Sequence, residues 1–266
     1  MSKFMIERKL SWDFFGDIIE ASKTKAYNPT TKAELQKLIK NESIKLSDIS
    51  VKKVDDLSEL FYMDEDGNEI HRKDFSGIET WWNFTATNLS AMFKNCRTFN
   101  EKIDNWTMNK VTDLSSIFEG CVSFNQPLNK WFIQDAENLS SMFKGCVSFN
   151  QPLNSWNVKN ATDLSHMFED CKSFNQPLDS WQLGKAEDLS SMFSGCISFN
   201  QPLEKWAVGS VINTESMFCN CYAFNQSLQK WAAGNVEKRE KQRNMTMTVF
   251  GILLSIVFGI LPMING

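Results

Sequence analysis

SFNQPLNSW, residues 148–156, recurs almost unchanged at 123–131 (SFNQPLNKW), 173–181 (SFNQPLDSW) and 198–206 (SFNQPLEKW), 25 residues apart each time. Aligning the chain on this phrase brings whole columns into phase. Cys96, Cys121, Cys146, Cys171, Cys196 and Cys221 form one column, and Phe93, Phe118, Phe143, Phe168, Phe193 and Phe218 form another. A second Phe column runs from Phe99 to Phe224, an Asn column from Asn100 to Asn225, and a Trp column from Trp106 to Trp231. A degenerate earlier copy is readable at 54–61 and 74–81, with an insertion at 62–72. A fixed period of this length marks a solenoid or array, whose units cannot bury their apolar faces alone and must share a core with neighbours.

One unit reads as two halves. In TDLSSIFEGC the apolar residues Leu114, Ile117, Phe118 and Cys121 stand at offsets 0, 3, 4 and 7, which predicts a short helix with one buried face. Thr112 or Asp113 would cap its first turn, and Gly120, Gly145 and Gly195 would sit in a left-handed conformation at its end. Two turns of helix are unstable alone in water, so packing must hold them. The second half is extended. Pro127, Pro152, Pro177 and Pro202 lack an N–H and mark a corner. The strand is then either the preceding Phe-Asn-Gln or the following Leu-x-x-Trp-x-Val, and the alternation at Trp156/Val158 and Trp181/Leu183 favours the second.

The fold class expected is therefore an α/β repeat solenoid, with one short parallel strand and one short helix per 25-residue coil. The domains expected are a helical N-terminal cap at 1–43, a solenoid of about seven repeats at 44–234, a basic linker at 235–244 and a transmembrane helix at 245–264. Repetition also decides the chemistry. Six equivalent active sites in a row are implausible, so the Asn column reads as turn-satisfying amides and the Cys column as buried, reduced thiols. Cys219 falls outside that column and aligns with the exposed positions Lys94, Glu119, Lys144, Glu169 and Ser194. Seven cysteines, and no apolar signal segment in MSKFMIERKLSWDFF, lead us to expect a reducing compartment.

The unit D-L-S-x-M-F-x-G-C-x-S-F-N-Q-P-L-x-x-W-x-V resembles the BspA-like leucine-rich repeat family in its 25-residue, mycoplasma-lipoprotein form, over roughly 44–234. That resemblance implies a leucine-rich-repeat-like fold and a membrane-attached or cell-surface protein engaged in adhesion or protein recognition, without enzymatic activity.

The ends differ in kind. In the cap, Thr31 and Glu34 form a capping-box pattern, and Leu35, Leu38 and Ile39 share a face. Trp12, Phe15, Ile18 and Ile19 suggest a second amphipathic helix. At the other end 245–264 contains no charged residue, long enough as a helix to cross a bilayer. Lys238, Arg239, Lys241 and Arg243 precede it and favour a single-pass anchor with the repeats on the cytoplasmic side. Outward display at the cell surface is the alternative; Ala232, Ala233 and Gly234 before the polar spacer also fit a lipid-attachment signal.

No chemistry stands out. His71 and His166 have no metal-ligand spacing around them, the acidic loop at 64–67 lacks the rest of a calcium motif, and no phosphate loop is present. Catalytic, cofactor and metal sites are all expected to be absent. A net charge of -4 speaks against nucleic acid as a partner. The function expected is a membrane-anchored recognition scaffold. Its protein partner would meet the variable polar column at Lys130, Ser155, Ser180, Lys205 and Lys230. Two alternatives are an outward-facing adhesin and a membrane-active homo-oligomer assembled through the C-terminal helix.

Overall fold

The computed structural model describes residues 25–231. The expected helix around Trp12–Ile19, the basic linker and the apolar stretch 245–264 lie outside the described residues. Among the described residues no helix is long and apolar enough to cross a membrane.

The first element is helix α1, Lys32–Lys40. Thr31 caps it, its hydroxyl accepting from the Glu34 N–H. The Glu34 carboxylate reaches back to the N–H and hydroxyl of Thr30 rather than of Thr31. Leu35 and Ile39 of α1 are fully buried. Short 3₁₀ turns follow at Leu46–Asp48 and Ile78–Thr80.

From 56 onward the chain winds in coils laid one on the next. Asp56, Asn88, Asp113, Asn138, Asp163, Asp188 and Asn213 are each joined to the next by a parallel bridge. Their side chains act alike. The Asp113 carboxylate accepts the Ser115 N–H, Asn138 the Ser140 N–H, and Asp188 the Ser190 N–H. These are Asx turns, the local chemistry that makes Asp and Asn good turn formers.

The expected short helix after this residue is not formed, and coils 82–228 contain no α-helix among the described residues. In its place stands a chain of tight turns. Ile117 N–H bonds the Leu114 carbonyl, Glu119 the Ser116 carbonyl, and Cys121 the Phe118 carbonyl. Ser116 (φ 55°) and Gly120 (φ 74°) are left-handed at the third position of their turns, as the type II pattern requires. Offsets of 0, 3, 4 and 7 bury one side of such a chain as they would one side of a helix, so the periodicity could not separate the two.

The left-handed residues rotate alternate peptides onto the axis of the stack. Leu114, Ser116, Phe118 and Gly120 donate to the carbonyls of Asn138, Ser140, Met142 and Lys144 in the next coil, at 2.7–3.0 Å. A left-handed non-glycine residue costs about 1–2 kcal/mol. At Ser116, Ser141, His166 and Ser191 that cost is set against an inter-coil hydrogen bond of 2.8 Å.

The strand expected at Leu-x-x-Trp-x-Val is also absent. Turns Leu153–Trp156 and Val158–Ala161 occupy that stretch, and the coil-to-coil bridge lies further on, at the Asx residue. Burial of Leu153, Trp156, Val158 and Ala161 comes from turns facing inward rather than from a pleat.

The constant columns fill the interior. Phe118, Phe143, Phe168 and Phe193 stack with centroids 5.6–5.7 Å apart, and Phe143 lies 4.2 Å from Phe149 of its own coil. Such offset stacking suits the ring quadrupoles. From Trp106 to Trp231 each indole N–H of the column reaches a carbonyl 28 residues back, as in Trp131 to Ile103 (2.8 Å), Trp156 to Leu128 (3.0 Å) and Trp181 to Leu153 (2.9 Å). The thiols behave alike, Cys121 pointing at the Phe93 carbonyl and Cys146 at the Phe118 carbonyl, both at 3.0 Å. Each Asn oxygen accepts the N–H of the next Asn, as Asn125 does from Asn150 and Asn150 from Asn175, and a Gln amide joins at the same oxygen. Among the described residues no buried side-chain polar atom is left without a partner.

Candidate interaction surfaces

Lys130, Ser155, Ser180, Lys205 and Lys230 all emerge exposed at the same corner of successive coils, beside the buried Trp column. The corner places them there because Leu and Trp three residues apart turn inward, leaving the two residues between them facing solvent. The lysines pair with carboxylates one coil back: Lys130 with Asp104 (2.7 Å), Lys205 with Asp179 (2.7 Å) and Lys230 with Glu204 (3.4 Å). The serines stand where the ladder turns polar. The Ser180 N–H donates to Asn154, whose amide in turn donates to Asp179. The Lys205 hydrogen bond keeps the Asp179 carboxyl below the ordinary carboxylate range. Side chains of Lys130, Lys205 and Lys230 remain 66–72% exposed. Exposed pairs of this kind are worth about 0–1 kcal/mol, so a partner could exchange them at little cost.

A second ladder lies on the column that ends at Cys219. Lys94 pairs with Glu119 (3.0 Å) and Lys144 with Glu169 (2.8 Å), and His166 joins Glu169 at 2.5 Å. Burial works against the Glu169 carboxylate, but bonds from Lys144 and His166 prevail and hold it below its usual range. His166 therefore faces Glu169, while the Cys171 thiol faces the Phe143 carbonyl. Burial pushes the Cys96 thiol up to about 12, and Cys121, Cys146 and Cys171 well above the ordinary thiol range. Cys219 alone among the described cysteines is exposed. Among the described residues no group of His, Cys, Asp or Glu is arranged to hold a metal.

Two features had no clear sequence signal. Phe61 and Phe93 are 32 residues apart instead of 25, and that break marks the insertion without telling its role. The insertion folds back on itself through the Met63–Glu69 bridge and walls a cleft of about 270 Å³ against Lys94, Cys96 and Arg97. Arg72, at its end, is buried and donates to the carbonyls of Ile39, Asn41, Ile44 and Asp74. The second feature is the last described coil. Phe193, Phe199 and Leu203 are fully buried, whereas their counterparts Phe218, Phe224 and Leu228 are only half-buried. Ile212 and Tyr222 are 79% and 80% exposed, and a cavity of about 370 Å³ opens along Met217, Phe218, Cys219, Leu228 and Trp231.

Columns constant from coil to coil inside and variable outside define a repeat protein. The chain belongs to the family DUF285, described as "Mycoplasma protein of unknown function", which matches at 56–181 and again at 155–249 and so covers more than half of the chain. No curated protein and no solved structure matches it.

Proposed function

We propose that the stacked coils form a solenoid of the BspA-like leucine-rich-repeat class and serve as a membrane-anchored, non-enzymatic scaffold for recognising a protein partner. The observation that carries this reading is the division of labour within each coil. The Phe, Cys, Trp and Asn columns are spent on inter-coil contacts, whereas the exposed corner at Lys130, Ser155, Ser180, Lys205 and Lys230 varies and is held only by weak surface pairs. Recognition by a repeat protein commonly uses such an extended, quasi-one-dimensional surface.

The anchor is the charge-free stretch 245–264, and Lys238, Arg239, Lys241 and Arg243 before it favour repeats on the cytoplasmic side. Charge reversal at Lys130, Lys205 and Lys230 together tests the recognition face. Capture by the full chain should lose the partner while thermal unfolding stays unchanged; undiminished capture sinks this face. Protease treatment of intact cells tests orientation, since digestion of the repeats would favour the outward adhesin instead. Loss of oligomers on deleting 245–264 would favour assembly through the tail.

A further inference from the structure

We infer that the open C-terminal end of the stack rests end-on against an anionic lipid surface; this rests on the anchor reading of 245–264. The polarity of the coils supplies the first reason. In every coil the N–H groups of the left-handed turn segment point toward the C-terminal neighbour, and the carbonyls point back. Within this segment four columns of peptide dipoles are aligned along the stack with their positive pole at the C-terminal end, although the peptides at 112–113, 137–138 and their counterparts donate the other way. In the last coil the groups at that pole are the N–H of Thr214, Ser216, Phe218 and Asn220. They have no acceptor among the described residues, whereas their counterparts at Leu189, Ser191, Phe193 and Gly195 all do.

This part of the end therefore offers a row of four donors beside an apolar floor; the Ile212 carbonyl, whose counterpart at Glu187 accepts from the next coil, is an acceptor on the same face. Phosphate and ester oxygens of lipid headgroups only accept, so they complement the donor row. Head-to-tail stacking of a second copy has no matching face, because the opposite end of the stack is covered by α1. The side chains around the pole are those that suit a membrane interface. Tyr222 and Ile212 project, and Trp231 and Phe218 line the cavity.

The sequence beyond the last coil points the same way. Continuing the period would put Arg239, Gln242 and Arg243 where inner coils place Leu, Met and Phe, so the apolar columns of the repeat stop before them. These same residues, with Lys238 and Lys241, carry the charge that anionic lipid attracts. Residues 232–244 separate Trp231 from the apolar stretch, at most about 45 Å of extended chain, which keeps the open end within reach of the surface.

The test uses the full chain in vesicles, with an environment-sensitive dye on Cys219 in a Cys96→Ser background. A control carries the dye at Asp66→Cys in a Cys96→Ser, Cys219→Ser background. In vesicles containing phosphatidylglycerol, the Cys219 dye should show a several-fold rise in emission, a blue shift and shielding from aqueous iodide; the control should show none of these. Ile212→Asp with Tyr222→Asp should return the Cys219 signal to its aqueous value. A Cys219 dye as open to iodide as the control overturns the inference, and so does shielding that survives the double substitution. Alkaline extraction reads the anchor separately. Protein that is extracted, although its Cys219 dye was shielded beforehand, refutes the anchor and retains the end-on docking.

Discussion

The two ends of the stack meet the same physical problem and differ in how the chain treats it. A terminal coil has one neighbour, so one apolar face and one row of backbone groups lack their usual partners. At the N-terminal end α1 takes the place of a coil. Its residues stand 24–27 positions before those they touch: Lys32 reaches Asp56 and Ser58, Gln36 the Met63 carbonyl, and Lys40 the Asp64 carboxylate. A helix satisfies its own peptides internally and needs no further coil beneath it. Arg72 then ties its C-terminal end down through three carbonyls. At the other end the turn segment 214–220 keeps the geometry of an inner coil and leaves its N–H row pointing outward. The difference teaches that these coils are built to be continued, and that only a change of secondary structure closes them.

The sharpest way to break this comparison is to remove one ring inside the stack and one at its open end. Phe168→Ala deletes a ring packed between Phe143 and Phe193 and should cost about 3–5 kcal/mol. Phe218→Ala, with a neighbour on one side only, should cost clearly less in the same urea titration. Equal losses would mean the end is not open.

Next in size is the closure itself. Arg72→Met strands buried carbonyls that now receive its guanidinium, an expected loss of about 3 kcal/mol, with hydrogen exchange rising first in α1. Exchange that rises uniformly along the stack would contradict a local closing role. Gly77 (φ 91°) comes third. A Cβ there would lie 2.6 Å from the Ser47 nitrogen, so Gly77→Ala should cost about 1–3 kcal/mol by thermal unfolding. Gly145→Ala, with the same handedness but 3.6 Å of clearance, should cost less.

The smallest effect is on acidification. The Lys40 hydrogen bond holds Asp64 well below the ordinary carboxylate range. Burial opposes Asp56, but bonds from Ser58 and Lys32 prevail and lower it as well. Depressed carboxylates contribute stability above their unfolded value, about pH 4, and lose it as the pH falls toward their folded values. Hydrogen-exchange protection in α1 should therefore fall as the pH drops below about 4. Asp64→Asn should weaken that pH dependence.

Much of the molecule is legible in the residues because repetition averages over accident. The buried Cys, Phe and Trp columns, the Asn ladder, the exposed Cys219 and the Thr31 cap can all be read from the chain alone. The roles of the insertion and of Arg72 cannot, since a single copy has no column to compare with. The exposed corner at Lys130, Ser155, Ser180, Lys205 and Lys230 follows from the period, but its pairing with Asp104, Asp179 and Glu204 depends on how far one coil shifts against the next.

Composition and period determined by themselves that one dry interior would be shared by equal units, because a 25-residue segment with this many rings has no other way to hide them. The tertiary structure alone decided that the units are turns instead of a helix and a strand. Apolar spacing reports which side chains face inward. It does not report whether a backbone N–H bonds within its own coil or to the coil above, and at Ser116, Gly120 and their counterparts that choice rests with the neighbour.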